Sequence, residues 1–236
     1  MGYEEADWLQ VRRRSKIVAI AIVRPASLVI VLGLIASLFL LRPASADSKY
    51  RGFTIIDSQV LNMEKHDELL AATKEQIDIV YEVGLSAEVL TFFQSVPFEL
   101  VPADTIRSPG HYAGRLRGVQ VASSITAEGH KPILLHELLH AYHDQRIEAG
   151  FRNPDIIKYF DHARRMSTFA PRSHMMENER EFFACAATTY LFGVTAQEPF
   201  QRGKLKTSQP EFFTYLKTLF GPTAGSYTGS LTKKGK

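Results

Sequence analysis

The sequence predicts a single α+β domain, and three observations favour that class. Two short apolar segments, 97–102 between prolines and 118–123 with alternating side chains, are typical of strands. Longer segments whose apolar residues recur every three or four positions are typical of helices. Hydrophobic residues make up 45% of the chain and charged residues 22%, which is the composition of an ordinary folded protein. We therefore expect a small mixed sheet packed on helices, followed by a mostly helical C-terminal part.

Helices are predicted on both sides of the two strands. Gly84, Gly150 and Gly221 directly follow three of them, as glycine often does at helix ends, and Pro132 suits the first turn of another. In chain order, the predicted helices span 62–83, 86–95, 132–149, 175–191 and 209–220. No internal repeat is present, so we expect one domain over 47–222 and a flexible tail over 223–236.

The first 46 residues predict a secretory signal peptide. Basic residues clustered at 12–16 precede an apolar run at 26–41, and the small residues at 44–46 offer a cleavage site. The alternative is an uncleaved membrane anchor lengthened by 17–23, although Arg24 and Pro25 interrupt that longer run. We expect an exported protein, periplasmic or extracellular, or in the alternative a membrane-anchored one with its domain outside the cytoplasm.

The charge balance excludes a nucleic-acid partner. The net charge of +3 comes from the targeting segment: six of the 28 Lys and Arg and three of the 25 Asp and Glu lie in residues 1–46, leaving 22 of each. A mature chain without a basic surplus lacks the electrostatic attraction that nucleic-acid binding requires. Cys185 is the only cysteine, so no internal disulfide can form and an apolar core must hold the fold.

The stretch H-E-L-L-H at 136–140 carries the strongest functional signal. On a helix, His136 and His140 differ by about 40° in azimuth and lie about 6 Å apart along the axis, so both can reach one ion. Glu137 beside them is predicted to act as a general base, and the pattern indicates a zinc hydrolase. Two imidazoles and an acid are costly to bury without a partner, which favours a metal over a pair of core histidines.

A catalytic zinc also needs a third protein ligand and an open position for water. The extended pattern H-E-x-x-H-x-x-G-x-x-H is excluded, because His143 and Arg146 stand where it requires glycine and histidine. A glutamate from a later helix remains. Glu181, next to an apolar Phe-Phe-Ala run, is the first candidate, although it also fits a helix-capping arrangement; Glu177, one turn earlier, is the fallback.

Together, H-E-L-L-H and the later stretch N-E-R-E-F-F-A at 178–184 resemble the peptidase domain of anthrax toxin lethal factor and its relatives. These are glutamate-type zincins with the signature N-x-x-E-F-F-A-E, and the likeness covers residues 53–221. It implies a zincin-like fold, with the sheet above the motif helix and the glutamate helix crossing below. It also implies zinc ligation by His136, His140 and Glu181, a general base at Glu137, and a peptide or protein substrate.

Two positions depart from the family pattern. Cys185 replaces the final acid of the signature, which can orient a zinc-bound imidazole, and it is either a small buried residue or a sulfur ligand. His174 replaces a tyrosine that can bind the oxyanion of the reaction, so His174 is a candidate catalytic residue. The missing acid favours the alternative function, a zinc-binding module that does not cleave.

Three further expectations concern the surroundings of the motif. Strand 118–123 is expected to offer a free edge to an extended peptide. His143 lies about 10 Å along the helix axis from His136, too far to share an ion, so we expect it to bond Asp144 or solvent. Tyr112 has a donor hydroxyl in an expected loop, but nothing in the sequence places it near the metal.

Overall fold

A five-stranded mixed sheet forms one layer of the computed structural model, which describes residues 47–126 and 131–223. The strands are β1 (Ser48–Tyr50), β2 (Phe53–Ile56), β3 (Phe98–Val101), β4 (Gly110–Ala113) and β5 (Gly118–Ala122). Their order is β1-β2-β3-β5-β4, with β2, β3 and β5 parallel and the two edge strands antiparallel to their neighbours. The predicted signal peptide or anchor and all but the first residue of the predicted tail lie outside the described residues.

The described residues also form seven α-helices. These are α1 (His66–Glu82), α2 (Ala87–Ser95), α3 (Ile133–Gln145), α4 (Pro154–Arg165), α5 (Glu179–Phe192), α6 (Arg202–Ser208) and α7 (Pro210–Phe220). Two 3-10 turns, Gly150–Arg152 and His174–Met176, precede α4 and α5. None of these helices has the length and apolar character needed to span a bilayer. The α+β class, the mixed sheet and the helical C-terminal part are as predicted.

Capping side chains fix where two of the helices begin. The side-chain oxygen of Ser86 accepts the Val89 N–H at 3.3 Å, so α2 begins within one residue of its predicted start. Asn178 accepts the N–H groups of Arg180 and Glu181, both at 3.0 Å. α5 therefore begins at Glu179, four residues after the predicted start, and the preceding residues form a 3-10 turn instead.

Several elements were not predicted, namely β1, β2, β4, α4 and α6. The three strands and α6 are short, so local periodicity is weak in them. α4 is longer and has clear helical periodicity, with Ile156, Phe160 and Ala163 buried on one face, so the sequence did contain a signal for it. β4 is a strand because it pairs with β5, with Gly110 opposite Val121 and Tyr112 opposite Val119. This pairing shows that one expectation was wrong: the strand at 118–123 has no free edge, since β3 and β4 flank it on both sides. The free edge on this side of the sheet belongs to β4, and β1 forms the opposite edge.

Helix α3 lies between the sheet and the C-terminal helices. It contacts β4 and β5 on one side and α5 on the other, with α1 and α2 also packed against it. Leu134, Leu135, Leu138 and Leu139 are all fully buried, as are Phe182 and Phe183 of α5. Because α3 is surrounded in this way, the polar residues of its H-E-L-L-H stretch must find partners inside the fold.

Candidate active site

Three side-chain donors converge between α3 and α5. The Nε2 atoms of His136 and His140 are 3.1 Å apart. The Oε2 atom of Glu181 lies 3.2 Å from each of them. Ligand atoms held at ~2.0–2.1 Å by a tetrahedral zinc lie ~3.3 Å from one another. The triangle therefore has nearly the size of one face of a zinc coordination tetrahedron.

The two helices bring these donors together for simple reasons. A four-residue spacing places His136 and His140 one above the other on α3. The Asn178 cap places Glu181 in the first turn of α5, and the buried Phe182 and Phe183 hold that turn against α3. The carboxylate thus meets the two imidazoles across the helix interface, at a sequence separation of 45 residues from His136.

The charge state of Glu181 suits a metal ligand. Burial by itself raises the pKa of this carboxyl group, but hydrogen bonds with His136, His140 and His174 outweigh it. The net effect is a pKa well below the usual range. The group is therefore an ionised carboxylate beside two imidazoles, which is a suitable donor set for zinc.

Glu137 lies in the same cleft but outside the triangle. Its side chain is 8% exposed, and its Oε2 accepts the backbone N–H of Tyr112 at 2.8 Å. Burial raises the pKa of Glu137 to about 7, against the lowering effect of His136. A carboxyl group with a pKa near neutrality, next to converging metal donors, can both accept and release a proton.

The edge strand β4 forms one wall of the cleft, and Gly110 is its closest approach to α3. A Cβ atom on Gly110 would lie 2.8 Å from Glu137 Cγ and 2.7 Å from Ile133 Cγ2, closer than such atoms pack. The absence of a side chain at Gly110 thus allows Glu137 to reach the Tyr112 N–H. This strand was not predicted, although the sequence contains a signal for it: β4 and β5 are joined by a short loop containing Gly114, the spacing of a β-hairpin.

Tyr112 lines the cleft, but its hydroxyl group is already engaged. The hydroxyl donates to Asp144 Oδ2 at 2.7 Å and accepts from Gln145 Nε2 at 2.9 Å. Burial and the bond to Asp144 raise the pKa of Tyr112 to about 12. Tyr112 therefore binds Glu137 through its backbone N–H and not through its phenol group.

His174 stands at the mouth of the cleft, on the 3-10 turn before α5. Its Nε2 lies 3.0 Å from Glu181 Oε2, and its Nδ1 lies 3.0 Å from Glu177 Oε1. The hydrogen bond with Glu181 raises the pKa of His174 to about 9, against partial burial, and the bond with Glu177 adds to the rise. The ring is therefore protonated at neutral pH and is a hydrogen-bond donor beside the triangle.

A second, looser set of donors overlaps the first. His136, His174, Glu181 and Cys185 offer ligand atoms within 4.8 Å of one another. That spread exceeds the ~3.3–3.8 Å between nitrogen, oxygen and sulfur ligands of one zinc. Burial also raises the pKa of the Cys185 thiol, which disfavours the thiolate that metal binding needs. Glu177, the fallback ligand, belongs to neither set and is 58% exposed.

His143 was expected to bond Asp144 or solvent, and that expectation was wrong. Its side chain is fully buried, and neither ring nitrogen has a hydrogen-bond partner among the described residues. The ring packs between Phe151 and Phe183, with centroids 5.1 and 4.7 Å away, while Asp144 bonds Tyr112 instead. Burial lowers the pKa of His143 to about 3, so the imidazole is neutral.

The cleft as a whole has a volume of about 540 Å³, within the range of small-molecule and peptide sites. Its walls come from β4, from α3 and α5, and from the segment 195–198 that follows α5. All the predicted site residues border it: His136, Glu137, His140, His174 and Glu181.

No family model and no curated protein matches the chain. Among solved structures, the Pro-Pro endopeptidase PPEP-2 from Paenibacillus alvei is similar, with a TM-score of 0.48 and 18% sequence identity. The similarity covers 70% of this chain and 97% of that one. Similarity of this degree leaves the function of this chain to be argued from its own residues, and the resemblance to the lethal factor peptidase domain stays a prediction.

Proposed function

We propose that this chain is a zinc metallopeptidase in which His136, His140 and Glu181 hold the metal. The observation that carries the proposal is the triangle of their donor atoms, 3.1 Å on one side and 3.2 Å on the other two. Two histidines and one glutamate form the ligand set of several catalytic zinc sites, with a fourth position left for water. When bound, zinc would acidify that water and polarise the carbonyl group of a substrate.

Glu137 is the proposed proton carrier. One carboxylate oxygen, Oε2, is held by the Tyr112 N–H at 2.8 Å, which leaves Oε1 to accept a proton from the attacking water. With a pKa of about 7, the same group can then pass that proton to the leaving amine. Glu137 acts first as base and then as acid.

His174 is the proposed stabiliser of the oxyanion. Its Nε2 lies 3.0 Å from the carboxylate of Glu181, so the ring adjoins the proposed metal ligands, and the raised pKa of His174 favours the protonated ring. A positioned cationic donor at this place lowers the energy of the negative charge that develops on the carbonyl oxygen.

The substrate is proposed to be an extended peptide that pairs with the free edge of β4. The Tyr112 N–H points to Glu137, so the edge of β4 that does not face β5 opens on the cleft. Backbone hydrogen bonds to such an edge hold a peptide without demanding one sequence. The predicted signal peptide would place this activity outside the cytoplasm, and that localisation stays a prediction.

Metal content and peptide cleavage, measured on three proteins, test the proposal. We expect about one zinc per chain in the wild type and in Glu137→Gln, and cleavage of a peptide library by the wild type but not by Glu137→Gln. The control is Glu75→Gln, which alters an exposed glutamate of α1 that does not border the cleft and should keep both zinc and activity. A wild type without zinc rejects the site, whereas zinc without any cleavage identifies a binding module.

A further inference from the structure

The cleft has a cation at its rim that the proposed chemistry does not use. Arg180 precedes Glu181 in the first turn of α5 and borders the cavity together with Phe151 and Tyr112. Its side chain is 54% exposed, whereas its backbone is fixed by the N-cap Asn178. An exposed positive charge thus projects from a fixed element beside the proposed peptide path.

The guanidinium group lies over an aromatic ring, and its ion pair with a neighbouring acid is long. Its central carbon lies 4.5 Å from the centroid of the Phe151 ring, and Phe151 in turn packs edge-on to Tyr112 at 6.2 Å. The acid nearest to Arg180 is Glu179, whose Oε1 is 3.8 Å from Nε. A charge-assisted hydrogen bond is ~2.8 Å long, so this contact is too long to be one.

A guanidinium stacked on an aromatic ring keeps its edge of N–H donors open. That edge matches a carboxylate in a two-pronged arrangement, which no other side chain reproduces. Within the described parts of the chain, no residue accepts a hydrogen bond from the Arg180 side chain. The stack also restricts the rotation of the side chain in advance, which lowers the entropy lost when a partner binds.

The other acids along the cleft are engaged elsewhere. Glu198 accepts the Ala170 N–H at 2.8 Å and pairs with Lys204 at 3.4 Å. Glu181 faces the imidazoles, and Glu137 is held by the edge strand. None of these cleft acids pairs with Arg180, and its long contact with Glu179 leaves N–H donors for a group that enters the cleft.

We propose that Arg180 binds a carboxylate of the peptide substrate and so selects acidic peptides. This inference rests on the proposed peptidase function. Because the stack of Tyr112, Phe151 and Arg180 adjoins β4, the acid would lie along the strand rather than at the segment 195–198. The carboxylate can belong to an Asp or Glu side chain or to the C-terminus of the peptide.

A peptide library blocked at both ends tests whether the bound carboxylate belongs to an Asp or Glu side chain. Matched peptides with a free C-terminus and no internal acid test whether it is the C-terminal carboxylate. The wild type should cleave peptides carrying Asp or Glu at one position about tenfold faster than peptides with Asn or Gln there. Arg180→Gln should lose that preference while neutral peptides are cleaved at nearly the wild-type rate. Arg180→Lys, which keeps the charge but lacks the two-pronged edge of N–H donors, should retain part of the preference for acidic peptides.

The control is Arg165→Gln, which removes an exposed arginine of α4 that does not border the cavity and should leave the preference intact. A merely structural role of Arg180 would lower the rate on all peptides alike. If the wild type shows no preference for either kind of carboxylate, or if Arg180→Gln keeps it, the inference is overturned and the peptidase stands.

A binding measurement separates the two proposals. Calorimetry of Glu137→Gln with an acidic peptide and its amide counterpart should show about tenfold tighter binding of the acid, lost when Arg180→Gln is added. If that difference appears while the wild type cleaves nothing, Arg180 recognition holds and the peptidase function fails. Equal binding of both peptides overturns the role of Arg180 whatever the wild type cleaves.

Discussion

Replacing His143 with phenylalanine is expected to remove part of the acid sensitivity of folding. The imidazole is fully buried between Phe151 and Phe183, and neither nitrogen has a partner among the described residues. A proton added to this ring would be a buried, unpaired charge, which the folded protein cannot stabilise. A phenyl ring has nearly the same shape and cannot take up that proton.

The size of the effect follows from the two pKa values. The pKa of His143 is about 3 in the folded protein and 6.5 in the unfolded chain, so below pH 6.5 the unfolded chain binds more protons. The stabilisation from the neutral ring is thus complete above about pH 6.5 and is lost as the pH falls towards 3. Between pH 7 and pH 5 the free energy of unfolding should fall by about 2 kcal/mol through this residue alone.

Urea unfolding of the wild type and of His143→Phe at pH 5, 6 and 7 measures this change. A chelator is present throughout, so that release of metal does not differ between the two proteins. The difference in unfolding free energy between them should shift by about 2 kcal/mol from pH 7 to pH 5 in favour of the variant. His162→Phe, at an exposed histidine of α4, should show no such shift. A constant difference for His143→Phe would show that His143 does not stay neutral in the folded protein at pH 5.

Three further predictions concern the site. Gly110→Ala should lower kcat about 100-fold with zinc retained, because the new Cβ atom would displace Glu137. Gly114→Ala is the control and should keep the wild-type kcat, because its Cβ atom would have its nearest neighbour at 3.8 Å. Peptidase assays and metal analysis of both variants measure the difference. His174→Phe should lower kcat about 100-fold with little change in KM, and an unchanged kcat would remove it from the reaction. Asn178→Ala should lower the free energy of unfolding by about 1 kcal/mol in urea, and no loss would argue against the cap.

Helical spacing in the sequence does not decide whether Glu181 or Glu177 reaches the two imidazoles. The two lie one turn apart in the predicted helix, so helical spacing alone puts them on the same face. The structure separates them because the Asn178 cap begins the helix at Glu179, which places Glu177 in the preceding turn, where it bonds His174. A capping signal was present in the sequence, but the direction of each carboxylate depends on what packs against α5.

Two other features depend on partners that lie outside their own helix or strand. β4 contains few apolar residues, so its strand conformation and its place at the free edge follow from pairing with β5. His143 has the local context of an exposed helix residue, but Phe151 and Phe183 enclose it. In both cases the deciding neighbour lies in another element, and of the two only the β4–β5 pairing had a signal in the sequence, the spacing of a β-hairpin.

The helices that carry the site and the one-turn spacing of His136 and His140 could be predicted from the sequence, because helical periodicity and capping act over a few neighbouring residues. The 3.2 Å distances from Glu181 to both imidazoles, and the position of β4 beside them, are visible only in the folded structure. Those distances depend on how α3 packs against α5 and the sheet, and packing joins side chains that are far apart along the chain.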